Sequence, residues 1–121
     1  MNSHDIAAPN FASTTDLRSA CIRLTNGAPL HSLYLGSPGG AGFTATALEE
    51  VEGILSATFS SYTLVPATGV YRGKPMPSLV VHIATTDTSS VHATSLALGK
   101  ALRQEAIGLQ LMGQFYTIEM E

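Results

Sequence analysis

Residues 62–84 read YTLVPATGVYRGKPMPSLVVHIA, and this stretch decides the predicted fold. Residues 62–72 form a long extended segment, and Ser78–Ala84 is a β-branched run, so both are predicted strands. The connection Gly73-Lys74-Pro75 is rich in turn residues and joins them as an antiparallel hairpin. Pro66 has no amide hydrogen for a ladder bond, so the first strand is predicted at a sheet edge or with a bulge.

Two segments with helical periodicity flank this hairpin. In the first, residues 45–59, Thr46 and Glu49 match a capping box, and apolar residues recur at helical spacing at Leu48, Val51, Leu55 and Phe59. In the second, residues 90–106, the periodic positions are Val91, Ser95, Leu98 and Leu102. Gly108 is the predicted C-terminal cap of this second helix.

The outermost elements are predicted strands at Leu30–Leu35 and, as one long strand, at 109–120. The order β-α-β-β-α-β predicts an α+β, ferredoxin-like domain over residues 17–121, with an antiparallel sheet and both helices on one face. Residues 1–16 are polar and aperiodic and are interpreted as a flexible leader, and residues 20–24 as a strand or a helical turn.

The amino-acid composition favours self-association. Hydrophobic residues make up 45% of the 121 residues and charged residues only 12%, against about 25% charged in typical soluble domains. Part of the surface is therefore expected to be covered by other copies of the chain, in a dimer or trimer. The alternative is a surface kept in solution by its Ser and Thr hydroxyls.

Charge and cysteine content exclude several partners. The net charge is −3 with only six Lys and Arg, which argues against nucleic-acid binding. No apolar run reaches the roughly 20 residues that cross a bilayer, so no membrane partner is expected. The sequence contains a single cysteine, Cys21, and so low a cysteine content predicts a cytoplasmic protein. Cys21 itself is interpreted as a buried small apolar residue.

Two segments suggest an anion site. The glycine loop (Gly36–Gly42) precedes a helix, and Gly39 and Gly40 would let backbone N–H groups approach a small anionic ligand. The hairpin tip (Tyr71–Pro75) carries Arg72 and Lys74, two groups that bind carboxylate or phosphate. A flexible connection and a solvated hairpin end are the alternatives.

Histidine and tyrosine supply the remaining candidates. The four histidines show no metal-ligand spacing, and no cofactor, metal or catalytic pair is predicted. His82 alternates with Val81 and Ile83, so it faces away from the helices, and Tyr34 is a second candidate ligand contact. Depending on strand register, the face without helices is expected to carry Tyr62, Leu64, Val80, His82, Met112 and Tyr116. Such a face needs a cover.

The chain resembles the PII and CutA-like families in its layout. The resemblance rests on the helix at 45–59, on Thr68-Gly69-Val70-Tyr71, on the Arg72–Pro75 tip, on SLVVHIA at 78–84, and on the second helix. It implies a trimer and, for the PII branch, adenine-nucleotide binding between subunits. The connection RGKPMP is shorter than the PII signalling loop, which makes CutA the nearer match. Residues 33–69 also resemble an uncharacterised bacterial family of small domains.

The leading hypothesis is a non-enzymatic homo-oligomer that binds a small anionic ligand or nucleotide, as a regulatory protein, near the glycine loop and the hairpin tip. The second is a small enzyme of the dimeric α+β barrel type, with His82, Tyr34 or Tyr116 as acid or base. The third is a protein-interaction or antagonist module. A trimer with clefts between subunits would favour the first, and a dimer closed over His82 the second.

Overall fold

The computed structural model describes residues 27–121, so the predicted leader and residues 20–24 lie outside the described residues. The elements are β1 (Leu30–Gly36), a 3-10 turn (Pro38–Gly40), α1 (Ala45–Ser56), β2 (Thr63–Tyr71), β3 (Lys74–Ala84), α2 (Thr88–Ala101), β4 (Ala106–Leu111) and β5 (Gln114–Glu119). They form a five-stranded antiparallel sheet in the order β2-β3-β1-β4-β5, with two helices. The predicted α+β, ferredoxin-like fold is confirmed, and β2 lies at an edge as Pro66 indicated.

The prediction of one strand over 109–120 is wrong, because the segment folds into a hairpin. Met112 and Gly113 both have positive φ, 51° and 82°, as a type I′ two-residue turn requires. Arg72 and Gly73 form the matching turn between β2 and β3, with φ of 52° and 77°. The apolar pattern continues through Met112, which conceals the second turn in the sequence.

The helix ends also differ from the predicted ones. The cap of α1 is Thr44, whose Oγ1 accepts the Ala47 N–H at 3.0 Å, so the predicted Thr46–Glu49 capping box is not formed. The helix begins at Ala45 as predicted, but its cap lies two residues before Thr46, because Thr44 already supplies an acceptor for the free N–H groups. At the start of α2, Asp87 Oδ1 accepts the Ser90 N–H at 3.1 Å.

Helix α2 ends at Ala101, before the predicted position, and Gly108 is not its cap. Arg103 adopts the left-handed conformation with φ of 55°, and its N–H donates to Lys100 O. The Gln104 N–H donates to Gly99 O at 2.8 Å, which completes a Schellman motif. Arginine occupies the position where glycine is usual, and this substitution hides the helix end in the sequence.

The core lies between the sheet and the two helices. Its side chains come from alternate positions of the central strands and from the inner face of each helix, and they are almost fully buried: Leu33, Leu35, Val51, Leu55, Leu79, Val81, Ile83, Val91, Leu98, Leu102, Ile107 and Leu109. Because side chains alternate along a strand, the intervening residues point away from the helices. They form the face that we call the open face, on which no described helix packs.

Strand register corrects the predicted membership of the open face. Val80 and His82 lie on it, as expected, since Val81 between them belongs to the core. Leu64 pairs with Val81, and Tyr116 pairs with Leu109, so both lie on the helix side. Tyr62 also packs against the core, and Met112 lies in a turn. A register shift of one residue exchanges the two faces, and residue type alone does not reveal it.

Of the strand pairings in the sheet, the one between β1 and β4 involves the fewest residue pairs. All seven residues of β1 pair with β3, whereas only Ser32, Leu33 and Tyr34 pair with β4, opposite Gln110, Leu109 and Gly108. We call this contact the seam. It joins the three strands β2-β3-β1 to the β4–β5 hairpin.

Candidate functional site

The residues predicted to bind a ligand lie in two separate places. Gly39, Gly40, Arg72 and Lys74 are at the end of the sheet where β1 finishes and the β2–β3 hairpin projects beyond it. Tyr34 and His82 are half-buried on the open face. His82 is eight residues along β3 from Lys74, which corresponds to about 26 Å of extended strand. The structure therefore does not gather the six residues into one site.

The glycine loop satisfies several of its own N–H groups. Gly39 and Gly40 have positive φ, 69° and 75°, as a tight turn requires. The Gly40 N–H donates to Ser37 O at 3.0 Å, and the Gly42 N–H donates to Ser37 Oγ at 3.1 Å. Together with the Thr44 cap, these bonds occupy donors that an anion at the start of α1 would need.

Two depressions in the surface of residues 27–121 lie on the helix side. A shallow cleft of about 240 Å³ between the glycine loop and the end of α2 is lined by Gly42, Thr44, Glu50 and Arg103 among others. It is smaller than the usual ligand pocket of roughly 300–1,000 Å³. A second groove of about 420 Å³ runs between the helices and is lined mostly by small residues. Neither contains a predicted site residue.

The open face carries a line of side chains that crosses all five strands. Thr63 pairs with His82, His82 with Ser32, Ser32 with Gln110, and Gln110 with Phe115. We call these five residues the cross-sheet row. Ser32 Oγ and His82 Nδ1 lie 2.7 Å apart in a hydrogen bond. Four of its five members can form hydrogen bonds, an arrangement suited to a ligand with several polar groups.

Aromatic rings lie beside the row at the β4–β5 end. The Tyr34 and Phe115 centroids are 5.8 Å apart with an interplanar angle of 57°, and Phe115 is 64% exposed. Phe115 lies over Gly108, where an added Cβ would be 2.7 Å from Phe115 Cζ. The Tyr34 hydroxyl donates to Gln110 Oε1 at 3.3 Å. Two rings and one oriented amide thus meet at one point of the face.

Sequence reasoning identified Tyr34 and His82 but missed Ser32, Gln110 and Phe115. Their one signal is period-two alternation along the strands, which shows that they share a face only after the register is known. Tyr116, which the enzyme hypothesis named as an alternative to Tyr34 or His82, lies on the opposite side of the sheet from both. These three side chains therefore do not form one acid–base group within a subunit.

Side chains bond to backbone groups at both ends of the seam. His31 is fully buried, its Nδ1 accepts the Met112 N–H at 3.2 Å, and its Nε2 therefore donates to Thr85 O at 3.0 Å. At the other end, the Gln104 amide accepts the Gly36 N–H at 3.0 Å and donates to Gly36 O at 2.9 Å. The two side chains extend the short β1–β4 contact and hold Gln110 beside Ser32.

The carboxylate with a lowered pKa lies away from the open face, and no metal site is found among the described residues. The Ser90 hydroxyl, followed by the Ser90 N–H and the Ser89 hydroxyl, lowers the pKa of Asp87, which lies at the start of α2 on the helix side. Among residues 27–121 no group of three His, Cys, Asp or Glu side chains is placed to hold a metal ion. Within the same residues, neither helix has the length and hydropathy of a membrane span.

Comparison with known proteins gives structural neighbours only. No protein-family model matches the chain, and no curated protein matches its sequence. A solved structure of a phage SAM lyase in its apo state superposes with a TM-score of 0.63 at 21% identity, over 82% of this chain and 94% of that one. A phage SAM lyase in complex with S-methyl-5'-thioadenosine gives a TM-score of 0.60 at 20% identity, over 82% and 95%.

These comparisons establish a shared fold across nearly the whole of the neighbouring chains. Their descriptions differ from the PII and CutA-like families, so that resemblance stays a prediction about layout.

Proposed function

We propose that this protein is a homo-oligomer that binds an adenosine-containing small molecule on its open face and cleaves S-adenosylmethionine as a lyase. The observation that carries the proposal is the cross-sheet row beside the Tyr34–Phe115 ring pair, on the face without helices. Support for the ligand class comes from the neighbours, since one is described as a SAM lyase complex with S-methyl-5'-thioadenosine.

The chemistry of the open face suits a nucleoside. A purine presents two flat faces for aromatic stacking, and its edge and ribose present hydrogen-bonding groups. Phe115 supplies an exposed ring, and the half-buried Gln110 and His82 supply amide and imidazole groups along one line. Between them lies Ser32, whose buried hydroxyl is bonded to His82. The proposal narrows the nucleotide-binding hypothesis to an adenosine derivative and places it away from the hairpin tip.

A second copy of the chain is needed to enclose such a ligand. One subunit presents the row on a sheet face, and both surface depressions described above lie elsewhere. Apolar side chains on the face remain exposed, with Leu30 at 58% and Phe115 at 64%. Burial of this surface against another copy favours association and turns an open surface into a closed site. The low charge content points the same way.

Lyase chemistry on a sulfonium makes small demands on the protein. When the bond between the sulfur and the γ-carbon of the methionine chain breaks, its electron pair stays on the sulfur and leaves a neutral thioether. No acid is needed for the leaving group, and the substrate's own carboxylate supplies the electron pair at the γ-carbon and closes a lactone. The protein then acts by orientation and exclusion of water. This fits a row of neutral groups without paired carboxylates.

A second candidate is regulatory binding of a phosphorylated nucleotide without turnover. The observation that favours it is the hairpin tip, where Arg72 and Lys74 lie exposed within three positions. These side chains suit phosphate, whereas the cross-sheet row contains neither lysine nor arginine. In either case we place the protein in the cytoplasm, as its single cysteine predicts.

The test combines assembly, binding and turnover on the full chain. Light scattering after size exclusion gives the oligomeric state, thermal unfolding with SAM, 5'-methylthioadenosine or ATP reports binding, and chromatography follows SAM consumption. We expect an oligomer, stabilisation by SAM and by 5'-methylthioadenosine, and formation of one 5'-methylthioadenosine per SAM consumed. A monomer with no response to either compound contradicts the proposal.

Stabilisation by ATP alone, abolished in Arg72→Asn, would instead support the second candidate. This variant suits the test because asparagine is favoured at the first position of a type I′ turn, so the charge is removed while the turn is kept.

A further inference from the structure

We infer that the β4–β5 end of the cross-sheet row is a base subsite specific for adenine, in which Phe115 stacks on the base and Gln110 reads its edge. Tyr34 is the positioning residue that orients the Gln110 amide. The inference rests on the proposed function, since it specifies how an adenosine derivative lies on the open face. It adds the identity of the base and the direction of the ligand.

The stacking part of the subsite is held in place by the backbone beneath it. Phe115 lies over Gly108, and the absence of a side chain there lets its ring approach the strand. Tyr34 lies beside the ring at a tilted angle, with the centroids 5.8 Å apart. Phe115 nevertheless remains 64% exposed. An exposed ring of this kind stacks with any base and supplies affinity without selecting the base.

The selective part is the Gln110 amide. In the structure the Tyr34 hydroxyl donates to Gln110 Oε1, and in this orientation of the amide Nε2 is left as a donor. An oriented glutamine amide pairs with adenine, because it accepts from the N6 amine and donates to a ring nitrogen. Hypoxanthine carries an oxygen in place of that amine. Its oxygen would face Gln110 Oε1, and two acceptors repel each other and form no hydrogen bond.

The rest of the row gives the ligand its direction. Ser32 is the next member after Gln110, and His82 follows it. Two strand spacings separate Gln110 from His82, about 10 Å, which matches the span from a purine edge to its ribose. The bond from Ser32 Oγ occupies His82 Nδ1 and leaves Nε2 for a sugar hydroxyl. The base therefore lies on β4–β5, and the ribose and its 5' substituent extend over β1 and β3.

The experiment compares dissociation constants for 5'-methylthioadenosine and 5'-methylthioinosine by calorimetry on the full-length oligomer. We expect the wild type to prefer the adenine compound by tenfold or more, because a site built around a hydrogen bond rejects the analogue that lacks it. Gln110→Ala removes the preference. Tyr34→Phe keeps the ring but loses the orienting hydroxyl, so it reduces the preference while affinity for the adenine compound falls less than in Gln110→Ala.

Phe115→Leu separates stacking from base reading. We expect it to weaken both compounds by a similar factor, about tenfold or more, and to leave the preference unchanged. Val70→Ala is the matched surface control, since Val70 is an exposed apolar residue distant from the row, and it leaves both constants unchanged. Thermal unfolding of each variant without ligand verifies that it is folded.

Failure of the subsite and failure of the proposed function are distinguishable. If the wild type binds 5'-methylthioadenosine and folded Gln110→Ala and Phe115→Leu bind both compounds as the wild type does, the base subsite is overturned and adenosine binding stands. A wild type without preference between adenine and hypoxanthine also overturns the subsite. If the wild type binds neither compound, the proposed function itself fails.

Discussion

The two sides of strand β1 show how one short segment serves two purposes. His31, Leu33 and Leu35 point to the helices and are fully buried, whereas Ser32 and Tyr34 point to the open face. The helix side is aliphatic, with one histidine whose two nitrogens are both hydrogen-bonded. The open side combines hydroxyl groups with an aromatic ring. The buried apolar contacts of the strand thus lie on one side, and the groups proposed to bind a ligand lie on the other.

A comparison of the two histidines is expected to show the largest difference. His31→Ala leaves the Met112 N–H and Thr85 O without partners and opens a cavity, which costs about 4 kcal/mol in the free energy of unfolding. His82→Ala removes one bond, to Ser32, on the open face and costs about 1 kcal/mol or less. Urea denaturation measures both. Equal costs would show that the two sides do not differ as described.

Neighbouring valines give the same comparison for apolar contacts. Val81 is fully buried against the helices, and Val80 lies half-buried on the open face. We expect Val81→Ala to lower the free energy of unfolding by about 2 kcal/mol and Val80→Ala by about 0.5 kcal/mol in dilute protein. The substitution is identical, so the difference isolates the two sides.

Protein concentration sharpens this comparison. If another copy covers the open face, the cost of Val80→Ala increases with concentration, because the side chain is buried further on assembly. A cost that stays constant over a hundredfold range of concentration, across which size exclusion shows assembly, would place the interface elsewhere.

The turn between β4 and β5 offers a smaller effect. Met112 holds a positive φ, a conformation that asparagine adopts more readily than methionine, so Met112→Asn is expected to stabilise the protein by about 0.5 kcal/mol. Met112→Ala is the control, since alanine removes the exposed apolar side chain without favouring the turn. Thermal unfolding distinguishes the two, and equal melting temperatures for Asn and Ala would argue against this reason.

The smallest effect is expected at the exposed Asp87 cap. Hydrogen bonds from Ser90 and Ser89 lower its pKa below the usual 3.8 in the folded chain. The stabilisation it provides is therefore present above that pH and is lost as pH falls through the lower, folded-state value. Asp87→Asn keeps a capping side chain that does not titrate. The difference in melting temperature between the two proteins should narrow as pH falls below 3.8.

Much of the fold follows from local signals. The β2–β3 hairpin, the edge position of β2 and both helices could be predicted, because Gly, Pro and β-branched residues have strong local preferences. The turn itself is Arg72–Gly73, one residue before the predicted Gly73–Pro75 connection, because Arg72 adopts a positive φ and Lys74 already belongs to β3. The β4–β5 turn and the end of α2 could not be predicted. In both, a residue without turn preference, Met112 or Arg103, occupies the left-handed conformation. The Met112 N–H donates to His31 across 81 positions, and Gln104, next to Arg103, bonds to Gly36 across 68, so partners of both segments lie far away in the sequence.

The candidate site was predictable only in part. Alternation along β3 places His82 away from the helices without knowledge of its partners. Gln110 becomes a partner of Tyr34 across 76 positions, and Ser32 a partner of His82 across 50. Such pairs depend on register, which the helices, the turns and the buried bonds of His31 and Gln104 determine together. The glycine loop and the hairpin tip can be proposed as sites from their composition, whereas the cross-sheet row can be recognised only from the strand register.

The seam has a consequence for how the molecule fluctuates. Detachment of the β4–β5 hairpin from β1 breaks three ladder pairs and the hydrogen bonds of the His31 and Gln104 side chains. Detachment of β3 from β1 would break the pairing of all seven β1 residues. The hairpin is therefore expected to behave as a separate opening unit in hydrogen exchange, with lower protection than β1 and β3. Ser32 and Gln110 would then belong to different units. A nucleoside bound across both units would hold them together, and its binding would slow amide exchange throughout β4 and β5.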